Sequence, residues 1–287
     1  MNVLVLGATG NVGPHVVSAL HSAGVTPSVL VRNGVTAREL FGDIAHVIAG
    51  DVTEGSTLAS AMKGVDSLLL LSPHSYSMAD LQLRVIREVR RTGARIIKVS
   101  GTSAAIKPTG PHACRQHWEV ERVLVESGQP FVILRPNSFM QVLVGKQMIP
   151  ALQSSGVIPN PIAGSGISFI DARDVGAVAA RVLLRHDWDG QTLELTGPRS
   201  VTYADIADLV SGLQGRTLST VETTPANVRA TLIERWMAVW EADHFQEMYQ
   251  LFRDGESERV TSTVEEVTGI PARTLERFLA EQLGTHR

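Results

Sequence analysis

Residues 110–122 read GPHACRQHWEVER and gather two of the nine histidines with the chain's one cysteine. An imidazole titrates near neutrality, so His112 or His117 suits the work of donating a proton or orienting an acceptor. Glu121 follows His117 by four residues, a helical spacing at which a carboxylate can hold the ring in place and keep it protonated. The same pair equally suits a plain tie between helix and sheet. Cys114 has no disulfide partner, no flanking metal ligands and no nucleophile triad, and reads as a small packed side chain. No spacing of the HExxH kind occurs, and no metal is expected.

A second chemical stretch is GATGNVG at 7–13, which contains Gly7, Thr9, Gly10, Asn11, Val12 and Gly13. It follows an apolar run and opens a helical pattern in which Val12, Val16, Val17 and Leu20 share one face. Strand, glycine turn and helix in that order predict a dinucleotide site, in preference to a glycine-rich turn in an α/β protein that binds nothing. Gly7 allows the tight turn, Gly10 lets the backbone approach a pyrophosphate, and Gly13 permits close helix packing, with the helix N-terminus favouring the anion. About 20 residues on, where an acidic residue would grip a ribose 2′-hydroxyl, the chain reads VLVRNG. Arg32 there can pair with a 2′-phosphate, so NADP(H) is favoured over NAD(H). Asp51 and Val52, in AGDV, close the third strand; Asp51 is placed either to contact adenine or to cap the next helix.

These residues need a scaffold, and the first half of the chain supplies its rhythm. Apolar runs at 3–6, 29–31, 46–48, 67–71, 95–99 and 131–134 alternate with helical stretches such as 78–92, where Leu81, Val85, Ile86 and Val89 recur at helical spacing. Strands without polar alternation are covered on both faces, and the repeated strand–helix order predicts an α/β, doubly wound parallel sheet of Rossmann type. Residues 1–136 are expected to form this domain, with 166–196 returning to it. Residues 137–165 and 197–287 are expected to form a smaller, mainly helical substrate lobe. A helix is predicted over 141–153, a loop over the Gly/Pro-rich SSGVIPNPIAGSG, a helix over 174–184 and a strand over 192–195.

Composition narrows the partners. A net charge of −3 gives none of the basic excess that nucleic-acid binding requires, and no apolar run approaches the length of a membrane span. The chain runs from Met1 directly into an apolar strand with no basic leader, so a reducing, cytoplasmic setting is expected. A small-molecule substrate remains, and monomer and homodimer are both compatible with the sequence.

Taken together, GATGNVG, VRN, GDV, IIKVSG at 96–101, HWEVERVLVESG at 117–128, ILRPNSFMQ at 133–141, FIDARDVGAVAA at 169–180 and LELTGP at 193–198 resemble the NmrA-like family of atypical short-chain dehydrogenases. That family includes NADPH-dependent quinone and azo reductases as well as cofactor-sensing regulators. The resemblance implies a substrate cleft between Rossmann domain and lobe. It implies that Leu71, Ser72, Pro73, Ser100 and Gly101 line the cofactor and that Pro136 and Asn137 lie near the nicotinamide. Thr102, Ser138, Phe139 and Met140 are expected beside the substrate; His74, just past the fourth strand in a loop that borders the cleft of this fold, is a further candidate there after His117, and the aromatic run with Trp240 and Phe245 suits either a pocket wall or core.

Many short-chain dehydrogenases use a tyrosine and, four residues later, a lysine; here His112 and Gln116 fill that spacing. Gln116 can hydrogen-bond a ribose hydroxyl but carries no charge, so a tyrosinate mechanism is not available. The leading reading is an NADP(H)-dependent reductase of a small aromatic or quinone-like molecule. Two others stand beside it: a dinucleotide-sensing regulator without turnover, and a non-redox acid–base enzyme on the same fold.

Overall fold

The computed structural model describes residues 1–284. The apolar runs form strands β1 (Val3–Leu6), β2 (Ser28–Val31), β3 (His46–Ala49), β4 (Ser67–Leu70), β5 (Arg95–Val99) and β6 (Phe131–Pro136), followed by β7 (Val157–Asn160), β8 (Thr192–Leu195) and β9 (Ser219–Glu222). Seven of them pair in parallel in the order β3-β2-β1-β4-β5-β6-β8. Connections that return each strand in the same direction require crossovers, and α1 (Gly13–Ser22), α2 (Gly34–Phe41), α3 (Gly55–Ala61), α4 (Met78–Thr92) and α5 (His112–Glu126) supply them. The strand order reverses between β1 and β4, which opens the crevice where this architecture binds ligands.

Both faces of the sheet are apolar, because alternate residues of the same strands feed two cores. Val3, Val5, Val29, Leu69, Ile97 and Leu134 point toward α1 and α7 (Ala172–Leu184), whereas Leu4, Leu6, Leu68, Leu70, Ile96 and Ile133 point toward α3, α4 and α5. Each such side chain contributes about 1.5–3 kcal/mol by leaving water. Two residues of β5 break this rule of composition: Arg95 and Lys98 are buried among the apolar side chains.

The lobe departs from the sequence reading in three ways. First, the helix predicted over 141–153 forms as a π-helical stretch, Met140–Met148, running into α6 (Ile149–Ser155). Pro150 has no N–H for the carbonyl one turn back, and the change of register puts it in the first turn of α6, where none is needed. Second, the stretch read as loop contains β7, which pairs in parallel with β9 to form a separate two-stranded sheet. Third, the tail does not stay in the lobe. After α8 (Tyr203–Gln214), α9 (Pro225–Glu234) and α10 (Val239–Arg253), the short α11 (Thr263–Thr268) buries Val264 and Val267 in the core beside α7 before α12 (Leu275–Leu283) returns to the lobe.

Helices α9 and α10 form a hairpin in which α9 buries only Pro225, and the connecting turn leaves Trp236 95% exposed at φ 66°. No helix among the described residues is long and apolar enough to cross a membrane.

One close approach holds the returning helix on the sheet. At Gly176 of α7 a Cβ would meet His15 Cβ of α1 at 2.5 Å. Gly176→Ala is therefore expected to destabilise the fold by about 1–3 kcal/mol through overpacking, read as a lower urea midpoint with an unchanged slope.

Candidate active site

At the crevice, the glycine turn takes the shape a phosphate needs. Gly7 has φ 71°, and a Cβ there would stand 2.6 Å from the carbonyl oxygen of Leu71 at the end of β4. A Cβ on Gly13 would lie 2.4 Å from the carbonyl oxygens of both Gly7 and Ala8. Gly10 faces open space apart from the Gly7 oxygen, to which it donates, and Thr9, Gly10 and Asn11 form an exposed lip over buried Val12 and Gly13. Among the described residues no side chain caps the start of α1; Pro14 has no N–H and the His15 N–H donates to the Val12 carbonyl, which leaves the N–H groups of Asn11, Val12 and Gly13 without a hydrogen-bonded partner and available to an anion. Lys146, from the π-helical stretch, reaches across to Asn11 Oδ1 at 3.3 Å and adds a cation above the turn. No local pattern signals this contact, because Lys146 and Asn11 lie far apart in the chain.

Arg32 is exposed at the end of β2 and has no hydrogen-bonded partner among the described residues. Its neighbour Asn33 is occupied in capping α2 through the Val35 and Thr36 N–H groups. Asp51 accepts from the backbone N–H and hydroxyl of Thr53 at 2.8 and 2.7 Å. Those bonds, helped by the Arg32 charge, hold its carboxyl below the usual range. Glu54, not Asp51, occupies the cap position of α3, so the helix-capping role read for Asp51 is not realised. Val52 follows it, half-buried.

Beside the turn, β5 carries a feature the sequence reading missed. Lys98 shares a face with Ile96 and has no solvent exposure. Its Nζ donates to Gln82 Oε1 of α4 at 2.7 Å and contacts the Val99 carbonyl at 3.4 Å and His117 Nδ1 of α5 at 2.9 Å. Gln82 is oriented by donating its Nε2 to Ser72 Oγ at 2.8 Å. Burial brings Lys98 down to about 7, with Glu121 resisting and Arg135 assisting. A lysine in a strand covered on both faces was the available signal, because such a charge needs partners inside the protein.

His117 is buried among other imidazoles. His74, in the loop after β4, meets it edge-on at 6.0 Å between centroids, and His244 of α10 meets His74 at 5.6 Å. Burial and the Lys98 charge hold His117 well below the ordinary imidazole value, and burial brings His244 down to about 3. His74 is exposed to solvent along the residue as a whole, yet protein crowds its ring enough for desolvation, then Lys98, to lower it as well. The result is a cluster of neutral rings. His244 Nδ1 is sealed from water without a hydrogen bond, whereas His117 Nε2 has no protein partner among the described residues and is not among the sealed atoms.

The pairing of His117 with Glu121 is corrected by this geometry. Glu121 binds Arg135 of β6, at 2.5 Å from Nη2 and 3.3 Å from Nε, and accepts from Ser100 Oγ. A guanidinium fits a carboxylate with two parallel donors, and the imidazole turns to Lys98 instead. So His117 is neutral rather than held protonated. Gln116 is held by the loop after β4 instead: its Oε1 accepts from the Ala79 N–H at 2.8 Å and its Nε2 donates to the Ser75 carbonyl at 3.1 Å.

His112 stands apart from this cluster's contacts. It stacks on Tyr76 at 5.0 Å, tilts against Trp240 at 5.2 Å and bonds the Tyr76 carbonyl, so it clasps α10 and the loop after β4 to α5. Met140 is 1% exposed in the lobe core, which removes it from the substrate face. Asn137 is buried, with its side chain saturated by Ser168, Ser257, Thr102 and the Ser138 N–H; it braces the end of β6 after buried Pro136. Ser138, Phe139, Leu71 and Ser72 remain half-buried and Pro73 exposed along the crevice, and Phe245 flanks His244. Gly101 lies so close to His117 that a Cβ there would be 3.6 Å from its Cδ2.

Comparisons with known proteins agree with this architecture. Residues 1–279 match the NmrA-like family. An NAD(P)H azoreductase from Xenophilus azovorans is 30% identical over 276 residues, 96% of this chain and 96% of its own. The NADPH-dependent quinone oxidoreductase of Escherichia coli, solved with NADPH, superposes with a TM-score of 0.89 at 24% identity, covering 98% of this chain and 99% of that one. The triphenylmethane reductase of a Citrobacter species superposes at 0.87 and 20% identity, over 99% and 100% of the two chains. At these identities the two structures speak for the fold.

Cys114 is buried against Met248 and Trp118, and burial pushes its thiol up to about 12. It is expected to resist a disulfide reagent at pH 8 in the folded protein and to react with one equivalent once the chain is unfolded.

Proposed function

The chain belongs to the NmrA-like family, and from that premise we propose that it is an NADP(H)-dependent reductase passing hydride to a small aromatic or quinone-like acceptor, without a Tyr-x-x-x-Lys dyad. The observation that carries this reading is the adjacency of a phosphate-shaped glycine turn and a cluster of neutral imidazoles, buried His117 and His244 with exposed His74 between them, at one crevice of the sheet. The bound dinucleotide supplies hydride. Everything else falls to the chain.

The free N–H groups of the glycine turn suit the pyrophosphate, and Lys146 adds charge on the same side. Arg32 suits the 2′-phosphate, being exposed and free of a hydrogen-bonded partner among the described residues. His117 has Nδ1 turned to Lys98, which fits an imidazole that carries its proton on Nε2 and presents it to the acceptor. Rings from His74, His244 and Phe245 make an uncharged wall, a surface that favours a flat, neutral molecule and excludes water from the anion formed on reduction.

The experiment is anaerobic NADPH oxidation with a panel of quinones, azo dyes, triphenylmethane dyes and enones. Steady consumption with at least one class is expected; tight NADPH binding without consumption across the panel would replace the enzyme with a dinucleotide sensor. Arg32→Ala is expected to raise KM for NADPH about 10- to 100-fold, the loss of a charged hydrogen bond, while leaving KM for NADH nearly unchanged.

A further inference from the structure

We propose that Lys98 is a positioning residue that also stores the proton His117 delivers, so that the two side chains act as one donor at the crevice. The inference rests on the reductase reading and deepens it, for it says where the proton that accompanies hydride comes from. Its basis is a saturated geometry. An ammonium has three donors, and Lys98 finds three acceptors: Gln82 Oε1, the Val99 carbonyl and His117 Nδ1. With Lys98 charged, Gln82 presents its acceptor oxygen to Nζ and turns its amide nitrogen to Ser72 Oγ. With Lys98 charged, Nδ1 must accept, and the proton of the neutral imidazole sits on Nε2.

The step balances as a transfer of one proton over two bonds. When the acceptor has taken hydride and carries the resulting negative charge, the Nε2–H bond of His117 breaks and its proton joins the acceptor. A Lys98 Nζ–H bond breaks and an Nδ1–H bond forms on the other side of the ring. His117 ends neutral as the opposite tautomer, Lys98 ends as an amine accepting from Nδ1–H, and the acceptor ends neutral. Nothing in this relay is oxidised or reduced. The reset runs backward, with a proton from water taken up at Nε2 and the Nδ1 proton returned to Lys98.

The surroundings allow both charge states. Glu121 on α5 favours the ammonium and Arg135 on β6 opposes it, while His117, His74 and His244 add no charge of their own when neutral. Burial dominates and brings Lys98 down to about 7. The sign follows: the ammonium is present below that value and lost as pH rises through it, so the store empties on the alkaline side.

The test has two arms. In cofactor-free protein, 15N NMR of the His117 ring is expected to show Nδ1 unprotonated at pH 6 and protonated at pH 8.5, with the crossing near 7. In Lys98→Met, which removes a buried charge and keeps the stem, that crossing is expected to vanish. In Lys98→Arg, charged throughout, Nδ1 is expected to stay unprotonated at every pH. In turnover, wild-type kcat is expected to fall above pH 7, and both variants are expected to lose about 10- to 100-fold at pH 6 with KM for NADPH moved less than about twofold. Full rescue of kcat by arginine, or a tautomer crossing that survives Lys98→Met, would overturn the proposal. If wild type consumes no NADPH with any acceptor, the reductase reading fails, and the NMR arm still decides whether the pair shares a proton.

Discussion

A lysine with no access to water must satisfy three donors from the protein around it, and much of this crevice follows from that demand. Lys98 recruits Gln82 from α4, which turns its amide to Ser72 at the end of β4. It recruits His117 from α5, which brings the ring under Gly101 and against His74. Two crossover helices and two strand ends are thus registered to one nitrogen. A second buried charge network, from Ser100 through Glu121 to Arg135, runs alongside and binds β5, α5 and β6 together. The lysine alone in an apolar layer would be a liability; with these partners it sets the geometry of the end of the sheet that faces the cofactor.

The sheet itself was legible in the sequence because its signals are local. Short apolar runs, helical spacing over 78–92 and a glycine turn between strand and helix each depend on neighbours a few residues away, and the strands and α4 appear where those patterns lie. The pair His117–Glu121 was misread for the same reason. Helical spacing made the two residues look like partners, whereas Arg135 and Lys98, on strands distant in sequence, outcompete that contact. The lysine was visible as a charge inside RIIKV, and only the principle that buried charges need partners would have singled it out. His244 carried no signal at all, since nothing in the sequence of α10 shows which of its faces closes on the loop after β4. The β7–β9 sheet joins segments some sixty residues apart, one of them with a proline in mid-strand, and neither alternates clearly enough to be read.

Neutrality is the other property the fold enforces. Three imidazoles placed close together would repel one another if charged, and burial keeps them uncharged. Two cations, Arg32 and Lys146, lie toward the glycine turn, whereas the rings of His74, His117 and His244 are held neutral.

The hairpin of α9 and α10 brings His244, Phe245 and Trp240 to the crevice, while Lys98, Gln82 and His117 all belong to the sheet and its crossovers. The two sets lie more than a hundred residues apart in the chain and share no element. Substitutions in the hairpin therefore alter the rings it contributes, while Lys98 keeps its Gln82 and His117 partners. Under the proposed function, the shape of the wall and the source of the proton thus lie on separate parts of the chain.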